Sequence, residues 1–217
     1  MGRRERVFLT CKLPNRLVVG KDDVADNYFF LTNSHDGSTA IQMMFTQVFV
    51  VCANTVREAL RTGKRKQRVK HTATMESKMF DAASLMGITW EKIQGMQELY
   101  NSFTRVNISD DNLRKFIEMA MYPGKEQISE EEYSTRFKNT VDQIYEYALT
   151  DTAQLIPERR GTLWGAYNSI TGYYNNLKEY DTPHDKLKTI MFGGGNDKSV
   201  RALEIATEAL TNQFLLS

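Results

Sequence analysis

The stretch Leu31–Thr55, "LTNSHDGSTAIQMMFTQVFVVCANT", decides how the chain begins to fold. Two apolar, β-prone runs flank a polar knot of Asn33, Ser34, His35, Asp36, Gly37 and Ser38. Glycine supplies the positive φ that tight hairpin turns need, so Asp36-Gly37 between such runs predicts a strand-to-strand turn. Asn, Ser and Asp side chains that bond a turn backbone account for most of the knot. They do not require a histidine. His35 therefore stays open to a binding or acid–base role, with Asp36 orienting it.

Working outward, "NYFFLTNS" (27–34) is aromatic and predicts a strand, as does "RVFLTCKL" (6–13), which ends at the turn pair Pro14-Asn15. "AIQMMFTQVFVVC" (40–52) loses its alternation at Val48, as a strand covered on both faces does. Asn54 is placed to cap a short helix over Thr55–Thr62, stopped by Gly63, with Arg57 and Arg61 on one face. "QRVKHT" (67–72) then predicts a return to the sheet.

From Thr74 the period changes. Met79, Met86, Ile93 and Tyr100 recur every seventh residue, and Met75, Ala82, Met96 and Phe103 share their face. This predicts one amphipathic helix of roughly eight turns, weakened at Gly87 and Gly95. Further helices are expected over Asp111–Met121 behind a Ser109 or Asp110 cap, from the Ser129–Glu132 capping box to Leu149, over Gly161–Leu177, and over Asp197–Leu210. "GGGNDK" before the last helix is expected to be a flexible linker rich in left-handed backbone. The expected class is α+β: a small, mostly antiparallel sheet packed on a long helix, followed by a helical C-terminal half. Residues 1–106 would hold the sheet and long helix and 107–217 the helical part, continuous as one domain.

The 217 residues are 41% hydrophobic and 25% charged, enough apolar material for a core and too much for disorder. No apolar run approaches the ~20 residues that span a bilayer, and with no secretory h-region at its start the sequence is not expected to be exported. Cys11 and Cys52 lie in apolar runs and are expected to be reduced, buried thiols of a cytoplasmic protein. The net charge is only +1, but its distribution is uneven. "REALRTGKRKQRVK" gathers Arg57, Arg61, Lys64, Arg65, Lys66, Arg68 and Lys70 against the single acid Glu58. Such a run is most often a solvated face, yet it also presents a local positive field to an anion.

"FLTNSHDGSTA", "VVCANTVREALR", "VKHTATM", "GTLWGAYNSITGYY" and "MFGGGNDKSVRAL", in this order, resemble the phage/plasmid-like protein family built on domain of unknown function 932. The matching positions are Asn33 to Ser38, Asn54, Thr55, His71, Thr72, Gly161, Thr162, Trp164, Gly165, Asn168, Phe192, Gly193 and Lys198. The resemblance implies a protein of a mobile element in a bacterial host cell. Many relatives carry an acid–histidine pair where this chain has Asn175-Asn176, and many have a longer N-terminal region.

No chemistry-bearing motif emerges. "NSHDGS" is not a nucleophile elbow, and "FGGGNDKS" has the wrong spacing for a phosphate loop. His35, His71 and Asp36 match no compact zinc pattern. Hence no catalytic residue, metal or cofactor is assigned. The first expectation is a non-enzymatic, single-stranded DNA-binding protein, possibly of annealing type. Its basic run would neutralise phosphates beside the aromatic Tyr28, Phe29 and Phe30. The strand and helix order of its first half is similar to that of ring-forming annealing proteins, which implies a homo-oligomer away from membranes. Two alternatives stand beside it: an enzyme of unassigned class with His35, Asp36 and His71 converging, and a counter-defence or assembly protein acting through an apolar face of the long helix.

Overall fold

The computed structural model describes residues 6–34, 41–49, 55–57, 67–69, 93–122 and 135–211. Strands β1 (Arg6–Val19) and β2 (Asp23–Ser34) form a long antiparallel hairpin, and β2 continues antiparallel onto β3 (Ile41–Phe49). Two short strands, β4 (Thr55–Arg57) and β5 (Gln67–Val69), both pair antiparallel with the outer edge of β3. The result is one five-stranded sheet. Residues 35–40, which include His35, Asp36, Gly37 and Ser38, lie outside the described residues.

The chain does not turn back at Pro14-Asn15. β1 runs through this pair, and the reversal comes at Gly20–Asp22. The register moves from Lys12↔Tyr28 to Arg16↔Asp26, so residues 13–15 face the single residue Asn27. This is a three-against-one bulge at an edge strand, where a proline's missing N–H costs no ladder bond. Asn27 Nδ2 donates to the Asn15 carbonyl (2.9 Å), and Gln47 Nε2 donates to Asn27 Oδ1 (3.1 Å). Both amide side chains are buried, so the bulge is held from the core side. The turn itself needs Gly20, whose φ is 64° and whose Cβ, if present, would collide with Glu158.

The helix expected over Thr55–Thr62 is not formed at its start, since Thr55–Arg57 is strand β4. β-Branched Thr55 and Val56 suit a strand, and pairing with β3 supplies backbone partners without the cost of a helix nucleus. The expected return at Gln67 is formed as β5.

Six helices follow. They are α1 (93–103), α2 (Asp110–Met121), α3 (Thr135–Thr150), α4 (Leu163–Gly172), α5 (Pro183–Phe192) and α6 (Gly194–Thr211), and α4 runs on into a π-helical turn, Tyr173–Leu177. Ser109 caps α2 by accepting from the Asn112 N–H, and Thr162 caps α4 by accepting from Gly165. α5 was not expected. Its signal is Thr182 before Pro183, a capping residue followed by proline at the first helical position. The glycines before α6 are not a left-handed linker. Gly194 and Gly195 belong to the helix, and the positive-φ glycines among the described residues are Gly20 and Gly161.

The apolar stripe of α1 (Ile93, Met96, Tyr100, Phe103) is buried with Phe116 and Ile117 of α2, Trp164, Tyr167 and Ile170 of α4, and Ala202 and Ala206 of α6. Leu17, Val19 and Ala25 from the sheet belong to the same core. Each large side chain so buried contributes ~1.5–3 kcal/mol before chain entropy is counted. The sheet and the helical half thus share one core in an α+β fold. Cys11 departs from expectation in its exposure. It is free of any disulfide, as expected, but exposed on β1 rather than buried, and Cys52 lies outside the described residues.

Candidate nucleic-acid interface

Side chains alternate between the faces of a sheet, and cross-strand partners share a face. The register therefore divides this sheet into two surfaces. One carries Leu17, Val19, Asp23, Ala25, Asn27 and Gln47, all buried against the helices. The other carries Lys12, Arg16, Val18, Val24, Asp26 and Tyr28, which are exposed or half-buried. By pairing, Thr46 of β3 stands opposite Tyr28 and Gln42 opposite Thr32, and Arg57 and Arg68 occupy the positions opposite Thr46 and Gln42.

The basic run is thus anchored at two points on one sheet edge. It leaves the sheet after Arg57, opposite Thr46, and re-enters at Gln67, opposite Met43. Arg57 falls in the row of Lys12, Tyr28 and Thr46, and Arg68 in the row of Phe8, Thr32 and Gln42. Arg61, Lys64, Arg65, Lys66 and Lys70 lie outside the described residues. Thr55 is in β4, opposite Val48, and Asn33 and Ser34 close β2 opposite Val7 and Arg6. Asn54, His71 and Thr72, like His35 and Asp36, lie outside the described residues, so the His35–Asp36–His71 constellation does too.

On the open face, Asp26 accepts from Lys12 Nζ (2.6 Å) and from Arg16 Nε (2.9 Å). The bond from Lys12, joined by the charge of Arg16, holds the Asp26 carboxyl below the usual aspartate range against the opposing effect of burial. The two cations are 49% and 59% exposed and Asp26 only 13%, so the basic groups reach further into solvent than the acid between them.

The family-motif residues of α4 sit elsewhere. Trp164, Gly165 and Asn168 are fully buried. Trp164 Nε1 donates to Asp23 Oδ2 (2.8 Å), and Arg159 grips the same carboxylate with Nε (2.6 Å) and Nη2 (2.7 Å). A Cβ at Gly165 would fall on the Arg159 carbonyl oxygen, so only glycine lets α4 start this close to the loop before it. Asn168 Nδ2 donates to the Trp164 carbonyl within the helix (2.9 Å). Glu158 completes the join by accepting from the Lys21 and Asp22 backbone N–H groups at 2.9 and 3.2 Å. Burial is the largest influence on the Glu158 carboxyl and pushes it up. The backbone N–H bonds and the neighbouring Arg159 charge outweigh it and leave the group below the usual glutamate range.

This motif is therefore a clasp between the β1–β2 turn and the helical half, not a surface. Asn175 and Asn176 are also held internally, by the Thr171 carbonyl (2.8 Å) and the Tyr147 hydroxyl (3.3 Å). Lys198 and Arg201 of α6 donate to the Tyr122 and Met119 carbonyls at the end of α2, at 3.0 and 2.6 Å, a helix C-cap rather than an anion site. Burial, with the nearby Arg201 charge, lowers the Lys198 pKa. Among the described residues, no group of three or more His, Cys, Asp or Glu is arranged to hold a metal ion, and no helix is long and apolar enough to cross a membrane.

Sequence reasoning missed Asp23, Glu158 and Arg159, and also the Lys12–Asp26–Arg16 group. Asp23 and Arg159 are 136 residues apart, and no spacing rule joins them. Gly20-Lys21-Asp22 was a readable turn signal that the Pro14-Asn15 pair upstream overshadowed.

An α+β protein with one sheet face open and charged, and with the α4 part of its family motif spent on internal docking, is the class that these features define. A family model, the domain of unknown function DUF932, matches residues 1–204, and the chain belongs to that family. No curated protein and no solved structure matches it.

Proposed function

We propose that the protein binds single-stranded nucleic acid on the open sheet face, without catalysis. On this proposal it acts as a homo-oligomer in the cytoplasm of a bacterium that carries a phage or plasmid. The observation that carries the proposal is the register. It pairs Arg57 into the row of Lys12, Tyr28 and Thr46, and Arg68 with Gln42 further along β3, which supports a basic surface beside Tyr28, Lys12 and Arg16. A single strand needs cations along its phosphates and rings against its bases, and base–aromatic stacking supplies ~1–3 kcal/mol per base without reading sequence. Duplex DNA hides its bases from such a face.

The test is fluorescence anisotropy with a labelled 20-nucleotide single strand, the matching duplex and an RNA of the same sequence, each at ~50 and ~200 mM salt. Binding of both single strands above the duplex, weakening with salt, supports the proposal. Equal binding of all three, or no binding at low salt, overturns it and returns attention to the His35–Asp36 segment.

A further inference from the structure

The bulge in β1 has a geometric effect on the open face. Residues four apart on a regular strand are ~13 Å apart along it, whereas positions two apart are only ~7 Å apart. Lys12 and Arg16 are four apart in sequence but occupy the positions opposite Tyr28 and Asp26, which are two apart on β2. The bulge has taken up the extra residues. Two cations that a regular strand would separate now converge on one carboxylate, which each touches through a different oxygen. The buried pair Asn27 and Gln47 holds the bulge open from below through the Asn15 carbonyl.

A carboxylate held between an ammonium and a guanidinium occupies the place that a phosphodiester oxygen pair takes in a nucleic-acid complex. We propose that Lys12 and Arg16 form a phosphate subsite for a single strand, and that Asp26 fills this subsite in the free protein as an internal competitor. This rests on the assignment of the open face to single-stranded nucleic acid. Asp26 sets how tightly a strand is held. A strand must displace the carboxylate to gain both cations, so binding is weaker and release faster than the basic surface alone would give.

The experiment compares wild type, Asp26→Asn, and Asp26→Asn in a Lys12→Ala/Arg16→Ala background, using a labelled 20-nucleotide oligothymidine across a salt series. Each freed cation adds ~0.7 to the slope of log affinity against log salt on a single strand. Asp26→Asn should therefore bind more tightly at low salt. Between 50 and 200 mM salt, about fourfold, it should lose about sevenfold more affinity than wild type. The gain should vanish when Lys12 and Arg16 are both alanine. Lys64→Ala/Arg65→Ala/Lys66→Ala is measured alongside. If that triple variant weakens binding while Asp26→Asn changes neither affinity nor slope, the competitor is overturned and the interface stands. A gain that persists without Lys12 and Arg16 is a general charge effect and also overturns the subsite. If neither wild type nor Asp26→Asn binds the strand, the interface fails and the subsite falls with it.

Discussion

Two aspartates on one strand, Asp23 and Asp26, carry the same functional group to opposite fates. Asp23 faces the core and is fully buried, gripped by the Arg159 fork and the Trp164 indole N–H. Asp26 faces outward between two half-exposed cations. Each accepts charge-assisted hydrogen bonds of similar length, so local geometry does not separate them. Solvent does. A buried charge cannot lose its partner without being stranded in a poor dielectric, whereas an exposed pair exchanges partners with water or an incoming anion at little cost. The first arrangement is suited to holding a fold together and the second to recognition.

The largest effect expected from this contrast is on Asp23. Asp23→Ala leaves the Arg159 charge and the Trp164 N–H without their acceptor and should lower unfolding stability by ~3–5 kcal/mol, measured by urea denaturation. Asp23→Leu combined with Arg159→Met should recover much of that loss, since an apolar pair of similar volume avoids the stranded charge. Gly165→Ala acts on the same clasp through sterics, forcing α4 away from the Arg159 carbonyl, and should cost ~1–3 kcal/mol. Gly95→Ala on α1, where an added methyl meets nothing within 4 Å, should instead stabilise by ~0.5–1 kcal/mol.

Glu158 gives the clasp a pH signature. Its folded pKa lies below the 4.5 of an ordinary glutamate, so its contribution is complete above that value and is lost as pH falls through the lowered one. Denaturation series at neutral pH and below pH ~4 should show a smaller acid-induced loss for Glu158→Gln than for wild type. An identical loss in both would detach Glu158 from the join. The smallest stability effect belongs to Asp26→Asn, within ~0–1 kcal/mol, because Lys12 and Arg16 remain solvated without it. A loss as large as that of Asp23→Ala would abolish the distinction between the two carboxylates.

The same distinction explains what could be read in advance. Strands β1 to β3 and β5 were legible because β-branched and aromatic runs report burial locally, and α2 was legible because Ser109 announces its start. Burial of Ile93, Met96, Tyr100 and Phe103 followed from a period that packing must obey. The bulge was not legible. Pro14-Asn15 has turn chemistry, and only the buried amides of Asn27 and Gln47, supplied by other strands, convert it to an irregularity within β1. Thr55–Arg57 read as a helix because the open edge of β3 that captures it is a tertiary fact. For the candidate interface, the basic run was visible as composition, whereas the pairing of Arg57 into the row of Lys12, Tyr28 and Thr46 depends on register.

The most direct measurement is the salt dependence of single-strand binding by wild type and by the Lys64→Ala/Arg65→Ala/Lys66→Ala variant, on a labelled oligothymidine. Each phosphate that is no longer neutralised should flatten the slope of log affinity against log salt by ~0.7, so the triple variant should lie up to ~2 below wild type. On the proposed interface these cations are solvated until a strand binds, so the unfolding midpoint of the triple variant should barely move, by ~0–1 kcal/mol per charge. An unchanged slope in the triple variant, or a wild type that does not bind the strand at low salt, would contradict an electrostatic nucleic-acid interface on this sheet.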